Sequence, residues 1–128
     1  MPLPGFLRRD NGHAAIARAL LAEVHSNITL INQGQALHVG TWQAIVATKK
    51  TPALGDAAYA AQRAYEAATA FNTALVAYHQ NFIARGSDRP APVLGEREAC
   101  EAFLADQRTS LLETFGGLAR DLQARVGS

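Results

Sequence analysis

The stretch from Ile16 to Leu37, IARALLAEVHSNITLINQGQAL, sets the terms for the rest of the chain. Ile16, Leu20, Val24, Ile31 and Leu37 recur at the spacing that gives a helix one apolar side. Glu23 and Asn27 lie one helical turn apart inside that pattern. A polar group on a core-facing stripe needs a partner, because a buried and unpaired one is costly. Whatever else the chain forms must therefore cover this stripe and supply partners for two polar side chains.

Three more helical segments are available for that purpose. The periodicity predicts a first helix from about His13 to His38, with Asp10 or Asn11 as its N-cap. Gly40 ends it, and Thr41 then caps a short helix, TWQAIVAT, whose apolar side is Trp42, Ile45 and Val46. A helix of two turns is not stable alone, so it must dock. Lys49 and Lys50 suit its negative end. After a turn at 52–54, a long helix is predicted from Asp56 to Ala84, with Tyr59, Ala61, Tyr65, Ala68, Phe71, Asn72, Leu75, Tyr78, His79 and Phe82 on its stripe. The run from Gly86 to Gly95, with Pro90 and Pro92, breaks the helical pattern. The last helix is predicted from Glu96 to Arg125. Its stripe is Phe103, Leu104, Leu111, Phe115, Leu118, Leu122 and Val126, and Gly116-Gly117 suggests a bend or a close crossing. No stretch alternates with the period of two that marks a strand.

The expected fold is therefore all-α, an antiparallel bundle of three long helices with a short Trp42-bearing helix bridging the first two. The expected organisation is an irregular arm over residues 1–9, where Pro2, Pro4 and Gly5 stand, and one helical domain over 10–128. A chain of 128 residues with 48% hydrophobic content can bury one core without a disulfide or a metal. Cys100 is the only cysteine and reads as a small buried hydrophobe.

If the first and third helices run antiparallel, Glu23 falls near Asn72, with Tyr65 one turn away. Tyr65, Asn72 and His79 recur every seven residues and share a seam. Glu23, Asn27, Tyr65, Asn72 and His79 thus form one candidate polar cluster, in which the Asn72 amide and the Tyr65 hydroxyl donate to Glu23. Such a cluster fixes helix register, and on that basis Glu23→Leu is expected to be tolerated. The alternative use is a small-molecule pocket between the two helices.

Other chemistry finds no footing. Twelve basic and eleven acidic residues are interspersed, so no face is built for nucleic acid. His13, His25, His38 and His79 are scattered, with no Glu-x-x-His pair of the kind di-metal bundles use, and neither a metal nor a cofactor is expected. Cys100 and Ser110 sit inside a helical stripe with no glycine-rich elbow around them, so no catalytic residue is assigned. No uninterrupted apolar run reaches the roughly 18 residues of a membrane span. A cytoplasmic location is the expectation.

Glu23-x-x-x-Asn27, Thr41-Trp42 with Ile45, the turn from Pro52 to Leu54, and Tyr65 with Asn72 together resemble a loose group of uncharacterised bacterial helical proteins. Many of that group carry a membrane helix ahead of the Glu-x-x-x-Asn segment, and none is expected in the residues before Ile16 here. The resemblance implies a shared fold with Glu23, Asn27, Trp42 and Asn72 as its structural signature, and it assigns no activity. The expected role is a non-enzymatic interaction or scaffold bundle. Its partner is a second copy, meeting at the Ala57–Ala70 face, or another protein, through which any membrane association would come.

Overall fold

The computed structural model describes residues 9–84 and 95–127. Among these the chain is all-α: α1 covers Arg9–Gln33, α2 Gly40–Ala47, α3 Ala57–Tyr78 and α4 Glu96–Gly127, with no strand. A 3-10 turn over Thr51–Leu54 leads into α3, and a π turn over His79–Ile83 follows it. Of the expected arm over 1–9, only Arg9 is described, and it is helical; the expected loop over 86–95 lies outside the described residues except for Gly95.

Helix α4 packs along both α1 and α3. Its apolar stripe, Leu104, Leu111, Phe115, Leu118 and Leu122, is buried against Leu20, Val24 and Ile31 of α1 and Ala61, Ala64, Ala68 and Phe71 of α3. Each large aliphatic or aromatic side chain buried in this way contributes about 1.5–3 kcal/mol. The alanines of α3 bring little area but let neighbouring segments approach closely. Phe103 was expected on this stripe and is 53% exposed instead, because Leu104 and Leu111 set the phase of the helix. The helix continues unbroken through Gly116-Gly117, and neither glycine lies at a close crossing.

Helix α1 begins and ends earlier than the sequence pattern implies. Asp10 and Asn11 lie within it rather than at its cap. It stops at Gln33 because Gly34 adopts φ +69°, which reverses the chain. The Gly34 N–H donates to the Ile31 carbonyl and the Gln35 N–H to the Leu30 carbonyl, both at 3.0 Å. Arg108 of α4 completes the end: its Nε donates to the Ile31 carbonyl at 2.9 Å and its guanidinium to the Asn32 carbonyl at 3.0 Å. A cation set on the last carbonyls also suits the helix dipole. Residues 35–39 then form an irregular linker into α2.

Gly12–Gln33 is long and apolar enough, by length and composition, to cross a membrane, with a mean hydropathy of 1.2 over 18 residues. No single run is uninterrupted, yet Arg18 and Glu23 are too few to lower the average. A core helix of a soluble protein passes the same test, and the apolar side of α1 is packed against α4.

Candidate functional site

An irregular linker with a buried residue poses a backbone problem. Leu37 is buried, and its N–H and C=O have no helical or strand partner, so side chains must supply one. Asn72 of α3 does so with both ends of its amide. Its Nδ2 donates to the Leu37 carbonyl at 2.9 Å, and its Oδ1 accepts from the Leu37 N–H at 2.8 Å. Asn27 of α1 treats the next residue in the same manner. It donates to the His38 carbonyl and accepts from the His38 N–H, both at 2.8 Å. Asn27 is fully buried, at 0% exposure, and these two bonds satisfy it. The two asparagines thus grip consecutive linker residues from two different helices.

Glu23 holds the next part of the chain. The residue at the N-cap position of α2 is Val39, which has no side-chain acceptor. Glu23 reaches across from α1 to do that work: Oε2 accepts from the Thr41 N–H at 2.9 Å and Oε1 from the Trp42 N–H at 3.4 Å. These are the second and third residues of α2, the N–H groups that a capping side chain ordinarily serves. A carboxylate there also meets the positive end of the helix dipole. The expected capping by Thr41 is therefore replaced by capping from another helix.

Tyr65 sits behind this arrangement. Its ring stacks on Trp42, centroids 5.6 Å apart and 17° between planes, and meets Phe115 edge-on at 5.3 Å. Trp42 thereby ties α2 to α3. The Tyr65 hydroxyl is buried beside Glu23 and Asn27 but meets neither in hydrogen-bonding geometry. Burial, and then the neighbouring Glu23 carboxylate, push it well above the ordinary phenol range, while Asn27 works weakly the other way. The ring is consequently a neutral phenol at any ordinary pH.

The predicted cluster is thus assembled differently from the sequence expectation. Glu23, Asn27 and Tyr65 do come together. Asn72 joins them only through the linker and makes no bond to Glu23. Tyr65 is not a donor to Glu23. His79 stands apart, exposed in the π turn. The physical reason is that the linker runs where direct side-chain pairing of α1 with α3 was expected, and its backbone takes up every amide and carboxylate oxygen and nitrogen of the three residues. Among the described residues no three His, Cys, Asp or Glu side chains converge.

The surface features lie elsewhere. A groove of about 530 Å³ opens between α2 and α3, lined by Trp42, Val46, Ala58, Tyr59, Gln62 and Glu66, with Thr51 at one end. Smaller clefts of about 370 and 220 Å³ lie beside Arg125 and Arg108. None of the three is lined by Glu23, Asn27, Tyr65, Asn72 or His79. Tyr59, expected on the core stripe, is 69% exposed at the groove's rim. The spacing itself carried that signal: residues 59 and 65 are about 240° apart around a helix and cannot share a face. Comparison with protein-family models, with curated proteins and with solved structures finds no match to this chain.

Proposed function

We propose that this chain is a non-enzymatic interaction bundle that associates with its own kind through the outer surface of α2 and α3. The observation that carries this reading is the groove between those helices. It combines an indole, a phenol, Val46 and Ala58 with the polar ends of Gln62 and Glu66. Val46 and Tyr59 are both well exposed there. Aromatic and aliphatic side chains rimmed by polar ones are the usual composition of an interface core. The latch beneath gives the surface its rigidity, because Glu23, Asn27 and Asn72 fix the segment on which Trp42 stands. The underlying architecture is an antiparallel bundle of three long helices with the Trp42 helix bridging, in kinship with the bacterial helical proteins it resembles.

A small-molecule-sensing pocket at Glu23, Asn27, Tyr65 and Asn72 is less favoured, since backbone groups already occupy the polar atoms it would need. Sedimentation equilibrium from about 1 µM to 1 mM tests the interaction reading, a range that brackets weak and moderate affinities. The expected mass rises from 13.7 kDa toward twice that value. It falls back on substitution of Tyr59 or Val46 by alanine. A constant 13.7 kDa over the whole range overturns the reading.

A further inference from the structure

Helix α3 has a second stripe, on the side away from the core. Tyr59, Arg63, Glu66, Ala70 and Thr73 follow one another at alternating spacings of four and three residues, and all five are exposed. That is the spacing of a two-helix seam. The Arg63 guanidinium lies over the Tyr59 ring, 5.8 Å from its centroid, which holds the two together. Among the described residues no carboxylate lies within ion-pair distance of Arg63. Glu66 accepts one bond from Gln62, at 3.2 Å on Oε1, and its other oxygen is open to a second donor.

From this stripe we infer that the partner is a second copy of the chain, with α3 lying antiparallel on the partner's α3 so that Arg63 meets the partner's Glu66. The inference rests on the interaction reading above and gives its orientation and register. Two-fold symmetry makes the contact twice, since Glu66 then meets the partner's Arg63. The same alignment sets Tyr59 against the partner's Ala70, a large side chain facing a small one. It also sets Asp56 against the partner's Thr73, an acceptor facing a donor. No like charges are opposed anywhere along the seam. A parallel pairing instead places Arg63 beside the partner's Arg63 and Glu66 beside the partner's Glu66, which is repulsive. The groove flanks the seam, since Tyr59 and Glu66 line it as well.

A charge swap tests the register on the full chain. Arg63→Glu and Glu66→Arg each oppose two pairs of like charges across the dimer. Each is expected to weaken dimerisation about tenfold at low salt, and less at high salt. The double variant Arg63→Glu/Glu66→Arg restores the pairing in reverse and is expected to regain wild-type affinity to within about threefold. Loss of the Arg63–Tyr59 contact cannot explain such a rescue, because the double variant also lacks it. Both positions are exposed, and circular dichroism confirms that each variant is folded. If the wild type dimerises but the single variants have no effect, or the double variant is not rescued, the α3 register is overturned while the interaction reading stands. If the wild type stays monomeric, both are overturned.

Discussion

Replacing Glu23 with leucine removes the side-chain acceptor that, among the described residues, serves the start of α2. The loss comprises a charge-assisted bond to the Thr41 N–H at 2.9 Å, a longer one to the Trp42 N–H at 3.4 Å, and the carboxylate's interaction with the helix dipole. A hydrogen bond to a charged group contributes about 1.5–3 kcal/mol, and the dipole contact about 0.3–1 kcal/mol. Glu23 is only partly buried, so some of this is returned as relief of desolvation, and the expected net destabilisation is about 2–4 kcal/mol. A domain of this size holds about 5–15 kcal/mol in total, so the variant stays folded but melts about 10 °C lower. Trp42 is the sole tryptophan and stands in the first turn of α2, so its fluorescence reports whether that helix stays docked. Thermal melts by circular dichroism, with Trp42 emission followed in parallel, make the measurement. Glu23→Gln keeps one acceptor without the charge and should fall between the two. An unchanged melting temperature with unchanged Trp42 emission in Glu23→Leu would refute the capping role. Such a result would agree with the tolerance a simple register device implies.

Asn72→Leu and Asn27→Leu each remove two hydrogen bonds and strand a linker N–H and C=O, and chemical denaturation should show losses of about 2–4 kcal/mol for each. Tyr65→Phe deletes a buried hydroxyl that has no bonding partner, and is expected to stabilise by about 1 kcal/mol in the same assay. Tyr65 also has a pH signature. Its pKa is raised in the folded state, so its contribution is complete below the unfolded phenol value of about 10 and is lost as pH rises above it. Stability should therefore decline above about pH 10 in the wild type, and less steeply in Tyr65→Phe. Lys49 holds φ +58° at the end of α2, a conformation glycine adopts freely, and Lys49→Gly should raise stability by about 1 kcal/mol. Gly116→Ala and Gly117→Ala should each gain about 1 kcal/mol, because an added Cβ meets only the Arg120 side chain, at 4.0 and 3.7 Å.

Helix periodicity made the starts of α3 and α4 legible, since a glycine precedes each, but not the change to a π turn after Tyr78 or the exposed sides of Tyr59 and Phe103. It misjudged the end of α1 because Leu37 lies on the extrapolated stripe and is indeed buried, though from a linker rather than a helix. Gly34 was the stop signal, but a glycine in a helical pattern is ambiguous until its φ is known. Glu23, Asn27 and Asn72 were legible as inward-facing because each interrupts an apolar stripe. Their partners were not, for a definite reason. The groups they bind are the N–H and C=O of Leu37, His38, Thr41 and Trp42, and backbone groups carry no residue identity. Side-chain complementarity alone therefore points from Glu23 to Asn72. The Tyr59 groove was hidden for another reason. Its walls come from α2 and α3, and only the docking of one helix on the other creates it.

Native-state hydrogen exchange at the Leu37, His38, Thr41 and Trp42 amides tests most directly whether the three polar residues are a latch on the linker. These amides lie in an irregular segment or in the first turn of a two-turn helix, where N–H groups are ordinarily without partners. With Asn72, Asn27 and Glu23 accepting from them, all four should exchange nearly as slowly as the core amides of α1 and α4. Each should lose its protection selectively when its own partner is substituted. Exchange of these four at the rates of open loop amides, while the α1 and α4 cores stay protected, would contradict the latch.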